Sequence, residues 1–179
     1  MAAVIACGQP APGWTLPDLD GRPVSLSDFR GRLVVMNFWS AECIWSRRAD
    51  EELLLLRKEW GEKAALVTIA CNANEGPDLI RSAARERGLP QVLIDPTGAV
   101  AGMASAVADL YGAAATPHLF VIDTQGLLRY QGALDDATFR RRLPTRLYLR
   151  LAVEALLDGR LPDPAETPAY GCALVRYTP

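Results

Sequence analysis

The fold of this chain is decided by the stretch Val34-Val-Met-Asn-Phe-Trp-Ser-Ala-Glu-Cys-Ile-Trp-Ser-Arg-Arg48. Its first half belongs to a nearly continuous apolar run from Leu33 to Trp39, which predicts a central strand covered on both faces. Its second half leads into residues 46–60, where apolar side chains recur at helical spacing among charges. Cys43 therefore lies at a strand-to-helix junction.

This position favours a reactive thiol. The first backbone N–H groups of a helix lack intrahelical partners and carry partial positive charge, which lowers the pKa of a cysteine placed there. Arg47 and Arg48 add formal positive charge close by, whereas Glu42 opposes them. The alternative is a buried, inert Cys43, which is the usual fate of a free cysteine.

Composition is that of one globular domain spanning residues 1–179. Half of the residues are hydrophobic and the formal net charge is −2, so neither nucleic acid nor a membrane is expected as a partner. The N-terminus has no basic start and too short an apolar stretch for a signal peptide. We therefore expect a cytoplasmic protein that is a monomer or weak dimer.

The four cysteines, at positions 7, 43, 71 and 172, contain no C-x-x-C pair, and His118 is the only histidine. Paired Cys/His spacing is needed for a zinc site, so neither a metal nor another cofactor is expected. In a reducing compartment a disulfide would be transient and functional.

The order of the predicted elements indicates an α/β fold with a mixed central sheet and helices on both faces. Residues 1–32 read as an N-terminal β-hairpin extension with a turn at Asp20-Gly21, and residues 160–179 as an extended C-terminal tail. The remaining predictions are helices at 46–60, 78–87, 99–111 and 136–157, the last with a break at Leu143-Pro144, and strands at 33–39, 64–70, 92–94, 115–123 and 127–131.

Taken together, these segments resemble the thioredoxin-like superfamily, and within it the redoxin branch of AhpC/TSA, peroxiredoxin-like and TlpA-like proteins. The resemblance is carried by Gly8-Gln-Pro-Ala-Pro-Gly-Trp14 with the hairpin after it, by Phe38-Trp39 before Cys43, by Thr116-Pro117, and by the closing hairpin from residue 127. It implies a thioredoxin-like fold and a redox-active cysteine.

The departures from that family pattern define the chemistry. The family's C-x-x-C site reads Cys43-Ile-Trp-Ser46 here, so the nucleophile is present and its local partner is a serine. Asn37 stands where many thioredoxins have a buried acid. A C-x-x-S site forms a mixed disulfide but needs a second thiol from elsewhere to release it. Cys172 is the favoured resolving cysteine, and Cys71 is a possible one.

The resemblance also assigns supporting roles. It implies a cis bond at Thr116-Pro117 that places the Thr116 backbone beside Cys43, where it would pair with a bound substrate. Ser46 is either a hydrogen-bond donor to the Cys43 thiolate or simply a residue that starts the helix. Trp39 is expected in the core with one edge near the site.

Trp45 has two interpretations. It is either an exposed landing surface for a partner or a side chain folded down onto the N-terminal hairpin.

Three functions follow from these residues. The first is a thiol-disulfide oxidoreductase that acts on a protein disulfide or a small thiol and is restored by an external thiol reductant. The second is a peroxiredoxin-like peroxidase, for which Ser40 fits the hydroxyl position of the motif but Met36 replaces its proline. The third is a redox-inactive binding protein of the same fold.

Overall fold

The computed structural model describes residues 5–95 and 107–176, which form an α/β fold. Its strands and helices, in chain order, are β1 (Thr15–Pro17), β2 (Pro23–Ser25), β3 (Leu33–Trp39), α1 (Ile44–Trp60), β4 (Ala64–Ala70), α2 (Pro77–Glu86), β5 (Val92–Ile94), α3 (Val107–Tyr111), β6 (Ala115–Thr116), β7 (His118–Ile122), β8 (Leu128–Gly132), α4 (Tyr148–Leu157) and β9 (Cys172–Ala173).

The central sheet has five strands in the order β5-β4-β3-β7-β8. Strand β3 lies in the middle, parallel to β4 and antiparallel to β7, so the sheet is mixed as predicted. The register between β3 and β4 runs from Leu33 opposite Ala64 to Trp39 opposite Ala70. Because β3 is buried along its whole length, its carboxyl end delivers the residues that follow it to a fixed place at the sheet edge.

Alternate residues of β3 enter different cores, which explains the continuous apolar run. Leu33 and Val35 pack with α1 and α4 on one face. Met36 and Phe38 pack with α3 and the N-terminal segment on the other face. A strand covered in this way has no solvent-facing positions and needs apolar side chains on both sides.

The N-terminal hairpin confirms the prediction from Asp20-Gly21. Strands β1 and β2 pair antiparallel, with Leu16 opposite Val24. Gly21 has a φ of 80°, and the Asp18 carboxylate accepts the Asp20 and Arg22 N–H groups across the turn. The short strands and the turn therefore follow the local sequence.

Two helix predictions need comment. Helix α4 begins only at Tyr148, so the prediction of helix from residue 136 is wrong. The Asp136 carboxylate accepts the backbone N–H groups of Thr145 and Arg146, and it also accepts the Thr145 hydroxyl. These bonds fold residues 136–146 into a loop, because an aspartate competes effectively for backbone donors. The helix predicted at 99–111 lies largely outside the described residues, which contain its last turn as α3.

The C-terminal tail returns across the molecule. Its strand β9 pairs antiparallel with β6, in a small sheet separate from the central one. Earlier in the tail, the Thr167 N–H donates to the Gln131 carbonyl oxygen of β8, and the Gln131 N–H donates to the Ala165 carbonyl oxygen. The tail is thus held at both ends of its path, and β9 is placed beside the carboxyl edge of β3.

None of the helices in the described part of the chain is long and apolar enough to cross a membrane.

Candidate active site

Cys43 caps the N-terminus of α1. Its backbone is extended, with a φ of −79° and a ψ of 122°, and its Sγ accepts the Ser46 backbone N–H at 3.4 Å. The same sulfur lies 2.9 Å from the Thr116 carbonyl oxygen, to which the thiol donates. The strand, the helix and the β6 edge therefore meet at this one sulfur, as the position at the junction predicts.

Cys172 is brought to the same place by the pairing of β9 with β6. In that pairing Thr116 lies opposite Cys172. The Cys43 thiol donates to the carbonyl oxygen of that same Thr116, so the two thiols are neighbours and each shifts the pKa of the other. The backbone N–H groups of Ile44 and Trp45 also act on the Cys172 sulfur. Both sulfurs thus lie at the positive end of α1, although the two cysteines are more than a hundred residues apart.

The pKa values of the two thiols are shifted in opposite directions. Burial alone would raise the pKa of Cys43, but hydrogen bonding from the neighbouring Cys172 and from the Ser46 N–H outweighs it, and the pKa is lowered. Burial and the neighbouring Cys43 sulfur raise the pKa of Cys172 to about 11. Two close acidic groups share one proton in this way, because ionising the first disfavours ionising the second. Cys43 is therefore the more acidic thiol of the pair, and Cys172 keeps its proton at neutral pH.

Gly171 allows the close approach of the tail. A side chain at this position would collide with the carbonyl group of Thr116 and with the nitrogen of Pro117. Only glycine therefore lets the backbone before Cys172 lie flat against β6. The Thr116-Pro117 peptide bond is cis, as predicted.

The other two cysteines lie elsewhere. Cys71 is buried in the core, where its thiol points to the Trp39 carbonyl oxygen at 3.7 Å and burial raises its pKa. Cys7 is half-buried, contacts Ala165 in the tail, and has a pKa that burial raises to about 12. The structure thus joins Cys43 to Cys172, the favoured of the two candidate partners.

The predicted supporting residues take different roles. Ser46 contacts Cys43 through its backbone N–H, while its hydroxyl accepts the Ser40 N–H at 3.4 Å. The Trp39 indole is buried and donates to Asp50 at 3.1 Å. Arg47 extends over the surface to Glu86 at 3.1 Å, so the groups that mainly set the Cys43 pKa are the hydrogen-bond donors around the sulfur.

Trp45 is half-buried at the side of the thiol pair. Its ring makes edge contacts with Tyr170, at a centroid distance of 5.0 Å, and with Phe139, at 5.2 Å. The Tyr170 hydroxyl oxygen accepts the Phe139 N–H at 3.1 Å. Trp45 therefore packs against the tail and the 136–146 loop, and the expectation of contact with the N-terminal hairpin is wrong.

His118 follows the cis proline and is buried. Its Nδ1 accepts the Ala114 N–H at 3.2 Å, and burial lowers its pKa to about 4. It is a neutral, structural side chain at physiological pH.

Within residues 5–95 and 107–176, no group of three or more His, Cys, Asp or Glu side chains is arranged to hold a metal ion.

Comparison with known proteins bears on this geometry. The model of the AhpC/TSA family matches residues 7–131, which is more than half of the chain. The chain belongs to the AhpC/TSA family. It is 29% identical to the thioredoxin-like protein YneN of Bacillus subtilis over 124 residues, which cover 68% of each protein. It is 28% identical to the thiol-disulfide oxidoreductase ResA of Geobacillus thermodenitrificans, over 70% of this chain and 68% of that one.

A solved structure matches nearly the whole chain of this AhpC/TSA protein. It is that of a hypothetical protein from Sinorhizobium meliloti, which superposes with a TM-score of 0.85 at 27% identity and covers 99% of this chain and 98% of the other. The α/β thioredoxin-like fold is therefore shown by sequence and by structure, including the N-terminal hairpin that precedes the central sheet.

One acid at this AhpC/TSA site was missed by the sequence reasoning. Glu75, in the loop after β4, is buried and accepts the Ser40 hydroxyl at 2.5 Å, the Ala41 N–H at 2.9 Å and the Glu42 N–H at 3.1 Å. It fixes the turn that leads from β3 to Cys43. Its place after a strand at the carboxyl edge of the sheet is the signal that would have identified it.

A buried ion pair supports the same turn from the other side. Arg87, just after α2, pairs with Asp50 of α1 at 3.0 Å, donates to the Ala41 carbonyl oxygen, and lies over the Trp39 ring at 5.2 Å. Asn37 is also buried, and neither polar atom of its side chain has a hydrogen-bond partner in the described part of the chain. The rigidity of the Cys43 turn therefore depends on charged groups that no local motif contains.

Proposed function

We propose that this protein is a thiol-disulfide oxidoreductase in which Cys43 is the nucleophile and Cys172 the resolving thiol. One observation carries the proposal: the Cys43 sulfur at the start of α1 lies 2.9 Å from the Thr116 carbonyl oxygen, and β9 places Cys172 opposite that same residue. The pKa of Cys43 is lowered and that of Cys172 is raised. A thiolate attacks, and a protonated neighbour supplies both the second sulfur and a proton. The relatives named thiol-disulfide oxidoreductases support the same class of reaction.

The reaction proceeds in two exchanges. The Cys43 thiolate attacks one sulfur of a substrate disulfide, forms a mixed disulfide and expels the other sulfur as a thiolate. The Cys172 sulfur then attacks Cys43, its proton passing to the leaving thiolate, and the substrate departs fully reduced. The enzyme now holds a Cys43–Cys172 disulfide, which an external dithiol reduces by the same exchange while becoming a disulfide itself.

Access to the nucleophile depends on the tail. Cys43 is only 3% exposed, and β9, which carries Cys172, is paired with β6 beside it. The first exchange with a protein disulfide therefore requires β9 to leave β6, to which it is paired at two residues. The second exchange occurs when β9 returns. The contact that shields the thiolate at rest is the contact that resolves the mixed disulfide.

A single-turnover experiment tests this proposal. The reduced protein is mixed with 5,5′-dithiobis(2-nitrobenzoate), and the released thionitrobenzoate is counted by absorbance. We expect two equivalents from the fast phase of the unmodified protein and of Cys71→Ser. Cys172→Ser should release one and retain the other on residue 43. A fast second equivalent from Cys172→Ser, or normal kinetics from Cys43→Ser, would refute the assignment.

The two other functions remain predictions. For the peroxidase, the Ser40 hydroxyl is bonded to Glu75, so it would have to reorient before it could bind a peroxide at Cys43. For the redox-inactive binding protein, the pH dependence of Cys43 alkylation is decisive. A Cys43 pKa near the ordinary thiol value of about 8.5 would favour it over both enzymes.

A further inference from the structure

An apolar groove opens beside the thiol pair. It has a volume of about 370 Å³ and is lined by Ile44, Trp45, Arg48, Thr138, Phe139 and Arg142. Ile44 is 62% exposed and Phe139 68% exposed, and the adjacent Leu143 is 81% exposed. Single exposed apolar residues are common, but a contiguous group beside a reactive centre marks a contact surface for a partner.

The rim of the groove is positively charged. Arg140, Arg141 and Arg142 are consecutive in the loop before α4, and Arg48 reaches the groove from α1. Arg48 is paired with Asp135 and Arg141 with Asp136. Arg142, which lines the groove, forms no ion pair with any residue in the described part of the chain, and no carboxylate lines the groove. The complementary occupant therefore carries negative charge.

The groove is joined directly to the redox pair. Trp45, in its wall, contacts Tyr170, which lies two residues before Cys172. The Cys172 sulfur faces the backbone N–H groups of Ile44 and Trp45 at the inner end of the groove. On the other side of the sulfurs, β9 occupies the β6 backbone edge. A partner seated in the groove is thus held next to the thiols, and it can react with Cys43 when β9 leaves that edge.

We propose that this groove docks a segment of a partner protein in which an apolar side chain and acidic residues flank the exchanging cysteine. The inference rests on the proposed exchange activity and names the class of partner that it serves. The apolar side chain packs between Phe139 and Ile44, and the acidic residues face Arg142. Aromatic and arginine side chains together are typical of the residues that dominate binding energy at interfaces.

The test uses three mixed disulfides of 2-nitro-5-thiobenzoate. Two carry ten-residue peptides with the cysteine beside a leucine, one flanked by aspartates and the other by lysines. The third carries 2-mercaptoethanol. The reduced protein attacks the sulfur that belongs to the peptide cysteine or to 2-mercaptoethanol. This attack forms the new disulfide and releases coloured thionitrobenzoate. We expect the acidic peptide to react about tenfold faster than the basic one, with the ratio shrinking as salt rises.

Variants identify the surface. Arg142→Glu should abolish or reverse the preference for the acidic peptide, and Phe139→Ser should slow both peptides about tenfold. Arg85→Glu is the matched control, since Arg85 is exposed on α2 away from the groove. The 2-mercaptoethanol disulfide should react equally with the unmodified protein, Arg142→Glu and Arg85→Glu.

The outcomes separate this inference from the activity itself. If the 2-mercaptoethanol disulfide reacts but the two peptides react equally fast, the docking inference is wrong and the exchange activity stands. If the loss of preference is as large in Arg85→Glu as in the groove variants, the charge effect is general and the groove is not the docking surface. If none of the three disulfides reacts, the proposed function itself fails.

Discussion

Replacing Cys172 by serine and by alanine separates its two contributions to the site. Both variants lack the resolving sulfur, but only serine keeps a hydrogen-bond donor beside Cys43. Of the contacts that lower the Cys43 pKa, the hydrogen bond from Cys172 is the largest. We therefore expect the pKa of Cys43 to be higher in Cys172→Ala than in Cys172→Ser.

The size of this effect follows from the strength of the bond. A hydrogen bond to a charged acceptor contributes about 1.5 kcal/mol at the lower end of its range. Its loss reduces the population of thiolate about tenfold on the acidic limb of the titration. A thiol of higher pKa also gives a thiolate that is a stronger nucleophile. This gain offsets about half of the loss of thiolate on a logarithmic scale, so alkylation of Cys43 should be about threefold slower in Cys172→Ala than in Cys172→Ser.

The assay is the rate of iodoacetamide alkylation at Cys43 against pH, followed at the peptide level by mass spectrometry. Peptide-level detection keeps Cys7 and Cys71 separate, and their raised pKa values provide an internal contrast. The Ala profile should lie at higher pH than the Ser profile. Superimposable profiles would show that Cys172 does not stabilise the thiolate and would refute this part of the account.

Three further predictions concern the tail, the turn and the buried histidine. Gly171→Ala should push β9 off β6, since the new methyl group meets the Thr116 carbonyl, so Cys43 alkylation should accelerate and intramolecular disulfide formation should slow about tenfold. Glu75→Gln should lower the free energy of unfolding in urea by about 2 kcal/mol, because a buried charged acceptor of three hydrogen bonds is lost. His118→Asn keeps an acceptor for the Ala114 N–H. It should remove about 3 kcal/mol of the unfolding free energy that the unmodified protein loses as the pH falls from 6.5 towards 4.

The sign of the histidine effect follows from its protonation. The folded-state pKa of His118, about 4, lies below the ordinary value of 6.5, so between these pH values the unfolded chain binds the extra proton. The stabilisation is complete above pH 6.5 and is lost as the pH falls towards 4. Parallel curves of unfolding free energy against pH for His118→Asn and the unmodified protein would contradict this explanation.

The other two predictions have their own contradicting results. Unchanged alkylation and disulfide formation in Gly171→Ala would show that the tail tolerates a side chain, and that its close approach does not govern the pair. Full stability of Glu75→Gln would show that the Cys43 turn is held without the Glu75 charge. Asp78→Asn, on the exposed first turn of α2, is the matched control for loss of one carboxylate.

Much of the fold could be predicted because its signals are local. The apolar run of β3, the cap position of Cys43 and the Asp20-Gly21 turn each involve residues close in sequence, and the structure confirms all three. Residues 136–146 were predicted as helix, because side-chain spacing does not show that the Asp136 carboxylate will take the backbone donors. Whether a backbone N–H donates to a helical carbonyl or to a nearby carboxylate depends on the three-dimensional arrangement of the loop.

The candidate site was less predictable, because its partners are distant in sequence. Cys172 reaches Cys43 through a two-residue strand pair whose formation depends on Gly171, and neither feature has a strong sequence pattern. Chain length permits contact with either Cys71 or Cys172, so only the fold distinguishes them. The packing of Trp45 on Phe139 and Tyr170 likewise joins three separate segments.

The central claim is that Cys43 and Cys172 form the redox pair, and peptide mapping of the oxidised protein tests it most directly. The reduced protein is treated with one equivalent of a small disulfide, the remaining thiols are alkylated, and the digest is analysed by mass spectrometry without reduction. The account predicts one major linkage, between Cys43 and Cys172, with Cys7 and Cys71 recovered alkylated. A linkage between Cys43 and Cys71, or recovery of Cys43 only as a mixed disulfide with the small molecule, would contradict it.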